Sequence, residues 1–238
     1  MNSVVIIGCA RDVAKHLPFV FEKIEMIKSL FKESKVIIYE NDSKDDTLNL
    51  LKSNPLIEVI SEKNVEGPRT VRLARGRNIL MKRALDYNYE YIVNMDMDEV
   101  NRDLTKEGFL SSFDDEKFPD WACVAANQSV SYYDLWTIRT YDDWVPFDIY
   151  AKHRETGDID FCREKRRRYI PENADPVKVK ACFGGLAIYK TRCIGDSKYN
   201  GLREDGYEQC CHVSFCEGLK GDIYINPKMI NCPGDHCM

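Results

Sequence analysis

Apolar strand-like runs alternate with helix-like runs in the first part of the chain, and this alternation constrains the fold more than any other feature. The strand-like runs lie at 3–8, 35–40, 57–61 and 91–95, and segments with apolar residues at helical spacing lie between them at 13–31, 47–52 and 70–87. Pro18 fits a helix only near its first turn, so we expect the first helix to begin after Val13. Ser43 and Asp46 have the spacing of a capping box for the second helix. Strands separated by helices predict an α/β fold with a mostly parallel central sheet flanked by helices.

The second half of the chain is less regular. Strands are predicted at 123–129 and 181–189, where Gly184-Gly185 interrupts the second run, and a helix is predicted through Val213 and Phe215. We see no internal repeat, low-complexity segment or linker. The sequence therefore predicts a single domain over 1–238, with a ligand-binding half at 1–100 and an irregular half at 101–238.

Composition narrows the class of protein. Hydrophobic residues make up 44% of the 238 residues and charged residues 31%, as in soluble globular proteins. The net charge of -5 gives no general attraction to nucleic acid or to an anionic membrane, so no nucleic-acid partner is predicted. The basic run at 163–168 keeps nucleic-acid binding open as an alternative. No apolar run approaches the roughly 20 residues that span a bilayer, so we expect no membrane span.

Ten cysteines are a high count for a chain of this length. The first residues lack a basic leader and are expected to form a strand, so reduced thiols and a cytoplasmic location are predicted. The alternative is a disulfide-bonded, lumenal domain of a longer membrane-anchored protein. The adjacency Cys210-Cys211-His212 lacks the paired spacing of zinc ligands, which favours buried thiols or disulfides over a zinc site.

The fourth predicted strand runs directly into two carboxylates, Asp96 and Asp98. Alternate side chains of a strand share a face, so these two can converge while Met97 points away. Hard oxygen ligands suit Mn²⁺ or Mg²⁺ held together with phosphate oxygens, although an ordinary polar strand end would look the same. Gly8 and Glu40 fall at the ends of two other predicted strands. Parallel strands place these positions at one sheet edge, where ligands bind in such folds.

Cations without acidic neighbours are concentrated in the third predicted helix: Arg69, Arg72, Arg75, Arg77, Lys82 and Arg83. Arginine forks match phosphate oxygens, so this face is predicted to bind a phosphorylated ligand if it lies toward Asp96 and Asp98. The alternative is a solvated helix face. Neither G-x-G-x-x-G nor G-x-x-x-x-G-K-[ST] occurs, which argues against dinucleotide dehydrogenases and P-loop NTPases.

Six motifs, taken in order, resemble the GT-A glycosyltransferases. They resemble in particular the fungal capsule-associated mannosyltransferases and the small glycosyltransferases of large DNA viruses of algae. The motifs lie at 8–12, 40–47, 76–78, 94–98, 132–139 and 183–189, so the resemblance covers most of the chain. It implies a GT-A fold in which residues 1–100 bind a nucleotide sugar and 101–238 form the acceptor half.

The resemblance also implies residue roles. Donor-binding positions would be Gly8, Arg11, Glu40, Asp42, Arg69, Arg77 and Asp96. The sugar and acceptor space would be lined by Tyr133, Asp134, Trp136, Gly184 and Gly185. The metal, Mn²⁺ or Mg²⁺, would be held by Asp96 and Asp98, with a late histidine, His236 or His212, as a further ligand.

The catalytic carboxylate has two candidates. Inverting relatives use a base to activate the acceptor hydroxyl, and 204–205 resembles the acidic pair that supplies it, which points to Asp205. Glu208, just before the predicted helix, is the second candidate. An exposed acidic turn is the alternative explanation of this segment.

The expected function is metal-dependent transfer of a hexose or deoxyhexose from a nucleotide diphosphosugar to a hydroxyl of a glycan or glycoprotein. A UDP-sugar is the preferred donor and GDP-mannose the next, and the viral resemblance points to viral protein glycosylation. A non-catalytic carbohydrate- or nucleotide-binding module on the same scaffold is the alternative.

Overall fold

In the computed structural model, residues 1–158 and 168–234 are described, and they form one sheet of eight strands. The strands are Ser3–Ala10 (β1), Glu33–Asn41 (β2), Ile57–Glu62 (β3), Tyr91–Met95 (β4), Trp121–Gln128 (β5), Val177–Val179 (β6), Leu186–Lys190 (β7) and Asp222–Cys232 (β8). Their spatial order is β3-β2-β1-β4-β7-β5-β8-β6. The first four pair in parallel, and β7 lies antiparallel between β4 and β5. The predicted α/β fold with a mostly parallel sheet is confirmed.

Six α-helices lie in the described residues: Leu17–Lys28 (α1), Thr47–Ser53 (α2), Arg69–Leu85 (α3), Lys106–Leu110 (α4), Ile149–Thr156 (α5) and Cys211–Glu217 (α6). Pro18 lies in the first turn of α1, as predicted. The predicted capping box before α2 is wrong. Asp46 makes no side-chain cap there, the Thr47 amide donates instead to Asp45 Oδ1 at 3.0 Å, and the Ser43 hydroxyl accepts from the Asp12 amide.

Helices cover both faces of the sheet because the inner strands are apolar on both sides. In β1, Val5 and Ile7 pack in one core with α3 and α6, while Val4 and Ile6 pack in a second core with α1. This alternation follows the two-residue period of a strand. A parallel strand with two apolar faces is buried from both sides, which leaves only its ends free for ligands.

The second half contains elements that the sequence does not predict, the helices α4 and α5 and the strands β6 and β8. The predicted strand at 181–189 begins only at Leu186, because Gly184 and Gly185 adopt left-handed φ angles of 61° and 86°. The longest strand, β8, was not predicted, since Pro227 and Lys228 interrupt its apolar pattern. Its pairing with β5 shifts register to accommodate the break.

No helix in the described ranges combines the length and the apolar character that crossing a bilayer requires.

Candidate functional site

A cavity of about 550 Å³ opens at the carboxyl ends of β1, β2 and β4. Its walls come from eight parts of the chain: residues 9–13 at the end of β1 and beyond, Asn41 at the end of β2, α3, residues 96–98 after β4, the segment at 133–137, Tyr150, Phe183, and residues 210–212 at the start of α6. The predicted site residues that line it are Arg11, Arg69, Arg77, Asp96, Asp98, Tyr133, Asp134 and Trp136. Strand ends of a parallel sheet therefore meet here with groups from the C-terminal half, as expected for a ligand site of this fold class.

Asp96 and Asp98 lie side by side where β4 ends. Met97 between them is buried, as the alternation predicted. The Asp96 amide donates to Gly185 O at 2.9 Å, and Asp98 Oδ1 accepts from the Val100 amide at 3.1 Å, which holds both backbone positions. The Asp96 side chain is 35% exposed and opens into the cavity. Burial and the neighbouring Asp98 charge raise the pKa of Asp96 to about 7.

The carboxylate oxygens of Asp96 and Asp98 are suitable ligands for a hard divalent cation. Two carboxylates that repel one another in a partly buried place are stabilised by a cation between them. In the described residues, no cluster of three or more His, Cys, Asp and Glu side chains could enclose a metal. The remaining ligands would therefore come from phosphate oxygens or water. Of the two histidines predicted as a further ligand, His236 lies outside the described residues and His212 lines the cavity.

Arg77 supplies the buried positive charge of the cavity. Its Nη2 lies 3.6 Å from Asp96 Oδ1, and its Nη1 donates to Cys211 Sγ at 3.0 Å. The guanidinium lies over the rings of Phe183 and Tyr199, at 5.5 and 6.0 Å from their centroids. Burial acts to lower the pKa of Arg77, but its electrostatic interactions with Cys211, Cys9 and Asp96 outweigh this and keep the pKa above its ordinary value. This arginine therefore stays charged beside the carboxylate pair.

The arginines of α3 lie on two different surfaces of the helix. One set faces the cavity and the other faces β3. Arg69 and Arg72 line the cavity with Arg77. Arg75 pairs with Glu62 of β3 at 2.7 Å and Arg83 with Glu58 at 2.6 Å, so these two hold the helix to the sheet edge. The prediction that the whole set faces the phosphate site is therefore corrected. Arg69, Arg72 and Arg77 line the cavity, and Arg75, Lys82 and Arg83 do not.

Gly8, Glu40 and Asp42, all predicted to border the nucleotide, do not line the cavity. Both Glu40 carboxylate oxygens are already used, by the Ser43 amide at 2.8 Å and the Ser61 hydroxyl at 2.7 Å. Asp42 accepts from the Asn64 and Val65 amides and so orders the loop after β3. Glu40 and Asp42 therefore stabilise the loops at the strand ends and do not face the cavity. Asn41 is the polar side chain of this segment that reaches the cavity.

Gly184 and Gly185 also lie behind the wall of the cavity. A side chain on Gly185 would come within 2.7 Å of Val100 and 3.0 Å of Tyr133 Oη, and one on Gly184 within 2.7 Å of Ala126 O. Their backbone joins the two halves of the site. Gly185 O accepts from the Asp96 amide, and the Gly184 amide donates to Asp134 Oδ2 at 3.1 Å.

A network of buried amides supports this junction. Asn231 Nδ2 donates to Asn101 Oδ1 at 2.9 Å and to Gly184 O at 2.7 Å. Asn101 Nδ2 donates to Asp96 O and Gly185 O, and Gln128 Nε2 donates to Gly184 O. Sequence reasoning missed these residues because they are far apart in the chain. Gln128 and Asn231 carry one sequence signal, an amide side chain within an apolar strand, whereas Asn101 lies outside the strands.

The part of the cavity wall that comes from the second half of the chain is aromatic and acidic. Trp136 and Tyr150 lie with ring centroids 4.6 Å apart, and both line the cavity. Asp134 is buried, and its desolvation raises the pKa of its carboxyl above the usual range. Tyr150 was not identified from the sequence. An aromatic pair beside a carboxylate can stack on a sugar ring and accept from its hydroxyls.

The two predicted catalytic carboxylates, Asp205 and Glu208, do not line the cavity. Asp205 lies on an exposed turn, where it accepts from the Tyr207 amide and pairs with Arg203 at 3.2 Å; these contacts lower its pKa. Glu208 Oε2 accepts from the Thr70 hydroxyl at 2.7 Å, and Thr70 itself lines the cavity. Glu208 is therefore one side chain away from the site, while Asp205 is on the surface.

His212 is a cavity residue for which the structure supplies no polar partner among the described residues. Its ring stacks on Phe183 with centroids 3.9 Å apart, and both ring nitrogens are buried without a hydrogen bond. Burial, and then the Arg77 charge, lower the pKa of His212 well below its usual value, so the ring is neutral. Cys210 and Cys211 line the cavity beside it. No disulfide is formed by the eight described cysteines.

The chain has the α/β fold found in GT-A transferases, with a carboxylate pair at the end of β4. No protein-family model and no curated protein matches the chain. Among solved structures, residues 1–349 of S. aureus TarS in complex with UDP-GlcNAc align with 94% of this chain and 56% of that one, with a TM-score of 0.51 at 15% identity. The same fragment in complex with UDP aligns with a TM-score of 0.50, at 13% identity, over 94% of this chain and 57% of that one. At this identity the likeness shows the fold alone, and the chain spans a little over half of the TarS fragment.

Proposed function

We propose that this protein is a metal-dependent glycosyltransferase that moves a sugar from a nucleotide diphosphosugar to a hydroxyl of a glycan or glycoprotein. One observation carries the proposal: the Asp96 and Asp98 pair and the buried Arg77 converge at the strand ends in one cavity. A UDP-sugar is the preferred donor, since TarS, which shares the fold, binds UDP-GlcNAc and UDP. The motifs that resemble fungal and viral glycosyltransferases support the same reaction class.

The proposed mechanism begins with the diphosphate. A bound Mn²⁺ or Mg²⁺, held by Asp96 and Asp98, would neutralise the diphosphate and stabilise it as a leaving group. Arg77 supplies a permanent charge at the same place, and Arg69 and Arg72 supply two more along the cavity. Cations already fixed in position need no reorganisation as negative charge develops on the leaving oxygen.

The transferred sugar would lie toward Tyr133, Asp134 and Trp136. The reacting acceptor hydroxyl must lose a proton, and Glu208 is the better placed of the two predicted bases, because only Thr70 separates it from the cavity. Asp134 is a third carboxylate to compare, since it lines the cavity with a raised pKa.

The test measures UDP binding by calorimetry, with and without Mn²⁺, and donor turnover in the same preparation. We expect Asp98→Asn to weaken Mn²⁺-dependent UDP binding by about tenfold or more, roughly 1.4 kcal/mol. Asp103→Asn, which changes an exposed aspartate outside the cavity, is the matched control. Equal UDP affinity in wild type, Asp98→Asn and Asp103→Asn would contradict the proposal.

A non-catalytic binding module is the second candidate function. The observation that favours it is that neither Asp205 nor Glu208 reaches the cavity. Turnover separates the two functions. If Glu208→Gln, Asp205→Asn or Asp134→Asn abolishes transfer while UDP binding persists, the protein is an enzyme. Tight UDP and glycan binding without turnover in wild type, unchanged in all three variants, would support the module.

A further inference from the structure

A second cavity, of about 540 Å³, lies next to the first and has no part in the proposed donor site. Three chain segments contribute neighbouring residues to both cavities. Thr137 lines the first and Arg139 the second, Tyr150 the first and Asp148 the second, Cys210 the first and Gln209 the second. The two cavities are therefore lined by adjacent parts of the same three segments.

Arg139 is the buried polar group of this second cavity. It is 7% exposed, and its Nη1 donates to the carbonyls of Ile138 at 2.7 Å and Trp136 at 3.2 Å. Its Nη2 has no hydrogen-bond partner in the described part of the chain, and the nearest carboxylate oxygen, Asp148 Oδ1, is 3.6 Å away. Asp148 Oδ2 lies 3.8 Å from Arg203 Nη1, so Asp148 is placed between the two arginines and the three side chains form a fixed charged group in the wall of the cavity.

The charges around the cavity identify the kind of ligand. Three cationic side chains line it, Arg139, Lys180 and Arg203, and three carboxylates, Asp148, Glu217 and Asp222. The lining is therefore neutral in sum, and its carboxylates would repel a phosphate or a nucleotide. A neutral ligand with many hydroxyls, each able to donate and to accept, suits a lining that offers both donors and acceptors.

The apolar part of the lining suits the same ligand. Val179, Ala181 and Ile223 are buried and present apolar groups to the cavity. Tyr141 is 63% exposed at its edge, and the Lys180 ammonium lies 5.3 Å from the centroid of its ring. An exposed aromatic ring beside fixed polar groups can stack on the C–H face of a sugar.

We propose that the second cavity is a saccharide subsite, and that the acceptor is an oligosaccharide whose distal units occupy it while its reacting hydroxyl enters the first cavity. The assignment to the acceptor rests on the proposed glycosyltransferase function. The binding of a saccharide does not, because it follows from the lining of the second cavity alone.

The test is saccharide binding by saturation-transfer NMR and calorimetry, using malto-, cello-, manno- and chito-oligosaccharides of one to four units. We expect affinity to rise with chain length in at least one series. Arg139→Gln should weaken the longer members by about tenfold, and Tyr141→Ala by about threefold. Tyr169→Ala, which changes an exposed tyrosine that lines neither cavity, is the matched control.

The saccharide experiment tests the second cavity independently of the UDP-binding experiment, which tests the first. UDP affinity, measured in parallel, should be the same in all three variants. Length-dependent binding that is weakened in Tyr141→Ala but not in Tyr169→Ala supports the subsite even if Arg139→Gln fails to fold. No binding by any series, or equal binding in Tyr141→Ala and Tyr169→Ala, overturns it. If the wild type shows no Mn²⁺-dependent UDP binding, the proposed function is contradicted, while the saccharide result still stands.

Discussion

At the scale of single residues, function follows the polar atoms that the fold leaves uncommitted. Glu40 and Asp98 are both carboxylates near strand ends, yet both oxygens of Glu40 accept internal hydrogen bonds. Asp98 accepts one, from the Val100 amide, and faces the cavity. Since a carboxylate already saturated by donors has little to offer a ligand, residue type and position alone could not separate the two.

Gly8 gives a prediction at this scale. A Cβ there would lie 2.0 Å from Met97 Cε and 2.6 Å from Met95 O. We expect Gly8→Ala to lower the free energy of unfolding by about 1–3 kcal/mol, since the added methyl group overpacks the junction of β1 and β4. It should also weaken Mn²⁺-dependent UDP binding, because Met97 separates Asp96 from Asp98. Urea denaturation and calorimetry measure the two effects.

The control for Gly8→Ala is the double variant Gly8→Ala/Met97→Ala. It removes the flexible side chain but leaves the Met95 carbonyl in place, so we expect partial recovery of stability relative to Gly8→Ala. A Gly8→Ala protein as stable as wild type would show that the close packing at this position is not needed.

At the scale of elements, α3 and the Gly184-Gly185 junction position the site. Along α3, Arg75 and Arg83 lie about two turns apart and reach β3, whereas Arg69, Arg72 and Arg77 face the cavity. The helix α3 is therefore attached to the sheet through some of its arginines and presents the others to the cavity. The junction works through backbone, since its carbonyls and amides bind Asp96, Asp134 and the buried amides.

Asn231 tests the junction. Asn231→Ala removes the Asn231 amide that donates to Asn101 Oδ1 and to Gly184 O. Gly184 O keeps its second donor, Gln128 Nε2. We expect the free energy of unfolding to fall by about 1–3 kcal/mol, and UDP affinity to fall with it because the Asp96 backbone is less well held. Asn49→Ala, on the exposed face of α2, is the matched control and should change neither quantity. Equal chemical denaturation of the two variants would contradict this role.

At the scale of the whole molecule, one sheet carries both halves of the site. β4, which ends in the carboxylate pair, pairs with β1 on one side and with β7 on the other. β7 follows Gly185 directly, so the second half of the chain enters the sheet next to β4. This arrangement brings Asp134 and Asp96 into one cavity although they come from different halves of the chain.

A fragment of residues 1–100 tests this architecture. Without β7 the edge of β4 would be unpaired, and apolar surface of β1 and β4 would lose the partners that complete both cores. We expect the fragment to lack a cooperative thermal transition by circular dichroism, while the full chain unfolds in one transition. An independently folded fragment with dispersed amide resonances would show instead that the two halves are separate folding units.

The sequence by itself determined the α/β class, the first four strands and the two carboxylates at the end of β4. These follow from local patterns: apolar periodicity, strand alternation and the meeting of parallel strand ends at one edge. The tertiary structure alone decided that Asp205 is a surface residue, that Glu40 is internally bonded and that Asn101, Gln128 and Asn231 form one network. It also revealed the second cavity around Arg139. These features depend on which distant segments pack together, and on which hydrogen-bonding atoms that packing uses, so no local pattern of residues records them.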